Sequence, residues 1–328
     1  MKTTYPLLAS CLFLMTACNN NLPDEYPDAP SNSTGFITLK LGGEFLSTSD
    51  SPLASAPKEF TRATGDLAKT LYAVNVTRED GSQVEHPFAY GLFDSQDKIT
   101  IYLGGQEGNK FHFYVTTLTE EGDKLHQESG AYAEPFVLSD DNMMEVTNRF
   151  VPSQSIRFKE LKKGTAMIEG EKLQSHPRVD RFYGETTFTC GRTSSITVNL
   201  KRAVFGLKFN VIPPQKGSAV IAFLDRSITV DAADLKNYTE EYIYSFADVA
   251  AATSAQETEK AYEEKFDLTI TWTGGPKPQE KPMVQSLSAK RRTMTTLNID
   301  FEATSNTGIT LDQEDKVMKQ ESQDITVK

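Results

Sequence analysis

Four histidines, a few paired aspartates and a few aromatic residues near turns are the groups in this 328-residue chain whose types could do chemistry. His86, His112, His126 and His176 are scattered, and no pair has the H-x-x-x-H spacing that sets two imidazoles on one helix face for a metal. His112 stands between Phe111 and Phe113 on the opposite parity of an alternating segment, so it is expected at the surface. Asp140-Asp141, and Asp231 with Asp234, offer the oxygen donors that calcium takes. Short acidic clusters on an acidic chain more often serve as solvated caps. No G-x-S-x-G, P-loop, G-x-G-x-x-G or EF-hand loop occurs, and Gly42-Gly43 and Gly104-Gly105 read as turn glycines. A glycosidase needs two carboxylates converging on one cleft, and no spacing singles out such a pair. Catalytic residues, a metal and a cofactor are therefore not expected. Trp272, before the Gly274-Gly275 loop, and Tyr183, before another turn, are the candidates for stacking on a sugar ring; a sandwich of this size needs such rings in its core, and core packing is the stronger claim on both.

One group does carry a modification signal. Lys2 precedes a short apolar run, Leu7 to Met15, with small residues ahead of Cys18. That run is too short for a membrane-spanning helix and has the form of a secretory signal over residues 1–17. Met15-Thr16-Ala17-Cys18 resembles a bacterial lipobox, which would make Cys18 the acylated first residue of the mature chain. Each buried methylene of an acyl chain adds about 0.8 kcal/mol, so several chains anchor stably where one is marginal. Residues 18–35, with Pro23, Pro27 and Pro30 among Asp24, Glu25 and Asp28, read as a flexible tether. Asp24 and Glu25 are loosely similar to a surface-export signal of Bacteroidota lipoproteins.

The elements that must position everything else are strands. The formal charge is −11, which repels phosphate backbones and argues against a nucleic-acid partner. Beyond Cys11 and Cys18 only Cys190 remains, so no internal disulfide is available and packed sheets must supply stability. Strand alternation is expected from Phe36 to Gly42 and from Thr70 to Arg78, then from His86 to Phe93 after an Asp80-Gly81 turn. Further strands are expected over 98–103, 110–118, 181–189 and 195–200, and then 203–212, 219–225, 265–272 and 294–302. Two weak ones fall in 308–328. Ser139-Asp140-Asp141 could cap a short helix over 142–148, and residues 244–264 have helix-forming composition. Ser195 to Ile212 is the longest alternating run. Ile196, Val198 and Leu200 share one parity, and Ala203, Phe205, Leu207, Phe209 and Val211 share the other. A strand with one buried face cannot do both. The flip at Lys201-Arg202 marks either a bulge or a domain junction. Read as a junction, it divides the chain into β-sandwiches at 36–201 and 202–328, an all-β architecture.

Several of these segments carry a resemblance. The lipobox, Thr61-Arg62-Ala63-Thr64-Gly65, and Lys201-Arg202-Ala203-Val204-Phe205-Gly206-Leu207-Lys208-Phe209 together resemble the fimbrillin-type surface lipoproteins of Bacteroidales. Leu71 to Val74, Tyr90 to Asp94 and Arg181 to Glu185 are similar to the N-terminal domain of a Bacteroides branch of that group. The resemblance implies two tandem transthyretin-like β-sandwiches and a non-enzymatic stalk, tip or anchor subunit of a fimbrium. It also implies a lipid anchor in the outer membrane, other fimbrial subunits as partners, and assembly by donor-strand exchange after cleavage between Arg62 and Ala63. A solitary glycan-binding lipoprotein, or one beside a nutrient-uptake complex, is the alternative, with host or polysaccharide glycans as ligands. The address is testable first. Cys18→Ala is expected to abolish metabolic labelling by a fatty acid and to release the protein from the membrane; a variant that still takes up label contradicts the lipobox.

Overall fold

The computed structural model describes residues 35–45, 70–104, 107–119, 127–128, 131–132, 144–158, 180–191, 193–234, 236–254, 262–273, 282–301, 308–314 and 323–326. In chain order the first strands are β1 (Phe36–Gly43), β2 (Thr70–Glu79), β3 (Glu85–Phe93), β4 (Thr100–Tyr102) and β5 (Lys110–Thr119). There follow β6 (Gln127–Glu128), β7 (Ala131–Tyr132), β8 (Val151–Pro152), β9 (Asp180–Thr189) and β10 (Ser195–Arg202). Then come β11 (Val204–Ile212), β12 (Ser218–Phe223), β13 (Arg226–Asp231) and β14 (Tyr238–Ser245). A six-residue helix, α1 (Val249–Ser254), precedes β15 (Glu263–Thr273), β16 (Met283–Lys290), β17 (Met294–Asp300), β18 (Gly308–Glu314) and β19 (Gln323–Thr326). The protein is an all-β sandwich built of curled sheets, with its strands in one compact unit, Thr34–Lys328.

The larger sheet runs β4-β1-β10-β9-β5-β2-β3-β8. It curls because β10 serves two neighbours. Its residues Ser195–Leu200 pair in parallel with β1, and only Lys201 and Arg202 pair with β9. A strand that leaves one layer for another makes the corner of a sandwich. At that crossing the two backbones approach closely. A Cβ on Gly184 of β9 would lie 2.5 Å from the Asn199 carbonyl oxygen, so only glycine fits.

β2 is central and buried on both faces: Leu71, Ala73 and Asn75 face one way and Tyr72, Val74 and Val76 the other. On the outer face Leu71, Ala73, Leu92, Tyr114 and Leu118 are covered by Tyr132, Met144 and Phe158, and by Val249 of α1. Beyond residue 203 the strands form a five-stranded sheet, β14-β11-β17-β18-β19, and a four-stranded sheet, β13-β12-β15-β16. Phe205, Leu207, Phe209 and Val211 share a core with Ile221, Phe223, Tyr244, Leu268 and Leu297. Phe209 lies 4.4 Å from Phe223 and Phe205 5.1 Å from Phe246, centroid to centroid. The parity flip thus marks where the chain passes from pairing with β9 to pairing with β14 and β17.

Three expectations need correction. Met144 forms a bridge with Tyr132 and Asn148 has a positive φ, so residues 144–148 are irregular rather than helical. Among the described residues of 244–264, Tyr244 and Ser245 end β14, Val249–Ser254 form the short α1 and Glu263 opens β15, because Tyr242, Tyr244 and Phe246 are drawn into the core; residues 255–261 lie outside the described residues. Arg202, assigned to a charged break, is 2 % exposed and bonded to Asp180.

The β9–β10 crossing generates a prediction. Gly184→Ala should lower stability by roughly 1–3 kcal/mol, since rigid backbone rather than a movable side chain opposes the new methyl. A lowered urea midpoint with unchanged slope is the expected result; an unchanged midpoint would refute the close approach.

Candidate functional site

The first strand defines the site. Phe36–Gly43 alternates, so Ile37, Leu39 and Leu41 fall on one face, and all three are buried. β1 is internal: it is antiparallel to β4 over Phe36–Thr38 and parallel to β10 over Thr38–Gly43. Its backbone bonds run both ways, with Thr38 N–H donating to Ser194 O and Leu39 N–H to Ile99 O, each 2.9 Å. The Phe36 and Tyr102 rings lie 5.0 Å apart. A slot of this kind makes two demands on its occupant. It needs an extended backbone to complete the ladders and apolar side chains at alternate positions. Backbone pairing and apolar burial are what such a slot offers an extended segment.

A polar clasp closes the end of β1. Gly43 turns the chain at φ +75, in the left-handed region that favours glycine. Glu44 then reaches three groups. Its Oε2 accepts the Arg202 backbone N–H at 2.8 Å and Arg291 Nη1 at 2.8 Å, while Oε1 accepts Arg292 Nη1 at 3.2 Å. Burial pushes the Glu44 carboxyl up, but the Arg202 N–H together with Arg291 and Arg292 outweighs it and holds the group below its ordinary value. Arg202 is itself satisfied, with Nε on Asp180 Oδ1 at 2.8 Å and its guanidinium 5.3 Å from the Phe182 ring centre. Arg291 also donates to Arg202 O, and Lys201 Nζ to Thr253 O. One carboxylate beside β1 therefore ties the first strand to β10 and to the β16–β17 turn.

A second polar cluster occupies the outer face at the β2–β3–β5–β9 end. Glu79 Oε2 meets His112 Nε2 at 2.8 Å and Lys110 Nζ at 2.7 Å, and His112 Nδ1 lies 3.1 Å from Thr187 Oγ1. Glu85 accepts from Thr77 Oγ1 and Tyr114 OH, and burial with that carboxylate pushes the Tyr114 phenol above its usual range. Asp80 accepts Ser82 and Val84 and meets His86, which holds its carboxyl below the usual range and fixes the hairpin turn. His112 is thus half-buried and partnered rather than freely exposed. The cluster joins adjacent strands.

Cys18, Arg62 and Ala63 lie outside the described residues, as do His126, His176, Asp140 and Asp141. Tyr183 is 2 % exposed within the core, so its ring offers no open face. Trp272 is half-buried on the other sheet system, 5.4 Å from Phe301, with its indole N–H on Lys216 O at 3.2 Å. The two rings do not form one platform. Asp234 caps the Asp231 N–H, a local turn. Among the described residues, no group of three or more His, Cys, Asp or Glu is arranged to hold a metal, and no helix is long and apolar enough to cross a membrane. Sequence reasoning missed Glu44, whose arginine partners are 247 and 248 residues away. The Arg291-Arg292 pair was its only visible trace.

No protein-family model and no curated protein matches the chain. Solved structures do resemble it. A candidate cell-adhesion protein from Bacteroides eggerthii is 14 % identical with a TM-score of 0.37, over 92 % of this chain and 98 % of that one. A candidate polysaccharide-binding protein from Bacteroides thetaiotaomicron is 11 % identical with a TM-score of 0.38, over 87 % and 99 %. The tip fimbrial protein Mfa3 from Porphyromonas gingivalis, truncated at its C-terminus, is 11 % identical with a TM-score of 0.29, over 79 % and 95 %. Similarity at this level leaves function to be read from the chain's own geometry.

The clasp predicts a pH signature. The Glu44 pKa is lowered on folding, so its stabilisation is present at neutral pH and is lost as pH falls below about 4.5 through the folded value. Glu44→Gln should cost near the lower end of about 1.5–3 kcal/mol at pH 7, with a smaller gap from wild type at pH 3. Urea titrations at both pH values measure it. An equal gap at both would show that the carboxylate charge is irrelevant.

Proposed function

We propose that this chain is a non-enzymatic subunit of a bacterial surface fimbrium or adhesive assembly, with β1 as its exchangeable strand. The observation that carries the reading is the internal position of β1, which both completes the β4 and β10 ladders and buries Ile37, Leu39 and Leu41. Burying three such side chains is worth roughly 5–9 kcal/mol in all, a large part of the about 5–15 kcal/mol that keeps a protein folded. A chain cut between Arg62 and Ala63 would lose lipid, tether and β1 together. The slot would then hold unpaired backbone groups beside apolar walls, and a strand from a second subunit would restore both. The fimbrillin resemblance points the same way, as does the lipobox-like Met15-Thr16-Ala17-Cys18, which would anchor the precursor in the outer membrane before cutting. In this reading residues 36–201 and 202–328 act as tandem sandwiches. The glycan-binding alternative gains less, since Tyr183 is buried and Trp272 is pinned by its core and backbone contacts.

The experiment is N-terminal sequencing of surface-extracted protein together with an Arg62→Ala variant. Assembled protein should begin at Ala63, and the variant should keep its lipid and fail to polymerise. Assemblies that retain residues 18–62, or a variant that polymerises normally, contradict strand exchange.

A further inference from the structure

The slot that β1 fills is apolar along its length and basic at its end. Alternation along Phe36–Leu41 would admit many strands, because apolar burial is non-directional. The end is more exacting. Gly43 lies opposite Leu200 of β10, and a Cβ there would stand 2.7 Å from the Leu200 carbonyl oxygen. Glycine is required twice over, by that approach and by its φ of +75. Directly after it, Glu44 meets the Arg202 N–H and the Arg291-Arg292 pair.

That pair forms the turn between β16 and β17, and its backbone is pinned. Arg292 N–H donates to Val204 O at 2.9 Å, and Thr293 N–H to Lys290 O at 3.3 Å. Arg292 has φ +60, a conformation that glycine or asparagine adopts at lower cost. A turn chosen for shape alone would not place arginine there. The neighbouring cations are engaged elsewhere: Lys201 Nζ on Thr253 O, Lys290 Nζ 3.7 Å from Glu263, and the Arg202 guanidinium on Asp180. Arg291 and Arg292 reach to the end of the first strand, and the Arg291 side chain is only 16 % exposed.

We infer that the Arg291-Arg292 turn reads a carboxylate on the strand in the slot, so that a strand accepted from another subunit carries glycine and then an acidic residue directly after its alternating apolar run. The inference rests on the strand exchange proposed above and names the partner's chemistry. A strand lacking the carboxylate takes away the acceptor of the Arg202 N–H and the counter-charge that Arg291 meets at 2.8 Å. Apolar burial supplies most of the affinity, and the arginine turn supplies the discrimination between strands.

The test uses the detergent-solubilised full-length chain with a site-specific protease sequence placed over Thr61–Gly65, so that cutting leaves β1 in its slot without a covalent link. Fluorescent peptides of residues 35–45 are titrated in under sub-denaturing urea, which lets strands exchange, and anisotropy reads their relative affinities. The native peptide should displace the resident strand. The Glu44→Gln peptide should bind about tenfold more weakly, the gap narrowing in about 1 M salt. In a chain carrying Arg291→Gln and Arg292→Gln, the two peptides should bind within about twofold of each other, which isolates the coupling from any general loss of stability. Equal binding of both peptides to the wild-type slot, or a tenfold gap that persists without the arginines, would overturn the inference and leave strand exchange standing. If no peptide displaces the resident strand, strand exchange fails and the inference falls with it.

Discussion

The burial of Arg202 is the interaction on which the rest of the molecule depends. A guanidinium out of water costs several kcal/mol unless paired and hydrogen-bonded. Asp180, the Phe182 ring and the neighbouring backbone supply that pairing where β10 leaves β1 for β9. One residue later Ala203 N–H donates to Arg181 O and Phe246 N–H to Ala203 O, so the same point joins β9, β10 and β14. The crossing tolerates little change in volume, as the contact beneath Gly184 shows. Strands before it and strands after it keep their registers because this place is fixed.

Glu44 extends that fixed point to the first strand. It takes the N–H of Arg202 and the guanidinium groups of Arg291 and Arg292, so β1 is held at its C-terminal end by charge and along its length by apolar burial. The two kinds of hold differ in consequence. Charged groups released from Glu44 regain water at modest cost, whereas Ile37, Leu39 and Leu41 leave an apolar slot that water fills poorly. A strand that leaves its slot therefore creates a strong demand for another strand of similar pattern. That asymmetry is what the proposed exchange would draw on.

Local signals were legible in the sequence and long-range ones were not. The alternation of β1, the Asp80-Gly81 hairpin and the parity flip after Lys201 each follow from neighbouring residues, and each is found where expected. β13 was missed because its hairpin turns at Leu224-Asp225, with Leu224 at φ +47, a conformation that leucine does not advertise. β4 and β5, contiguous around a glycine turn, go to different neighbours, because β1 and β9 claim them from afar. β16 was read as nothing, since its serines leave weak alternation. Of the site, the slot's occupant was visible and its clasp was not: Glu44 and Arg291 meet only through folding.

The central claim, that the slot between β4 and β10 accepts strands from other subunits, is tested most directly by an electron-microscopy structure of the native surface assembly. The density between β4 and β10 is predicted to trace into a neighbouring subunit, with this subunit's own residues 36–43 absent. Density continuous with the subunit's own Phe36–Gly43 and running on through Glu44 would contradict the account.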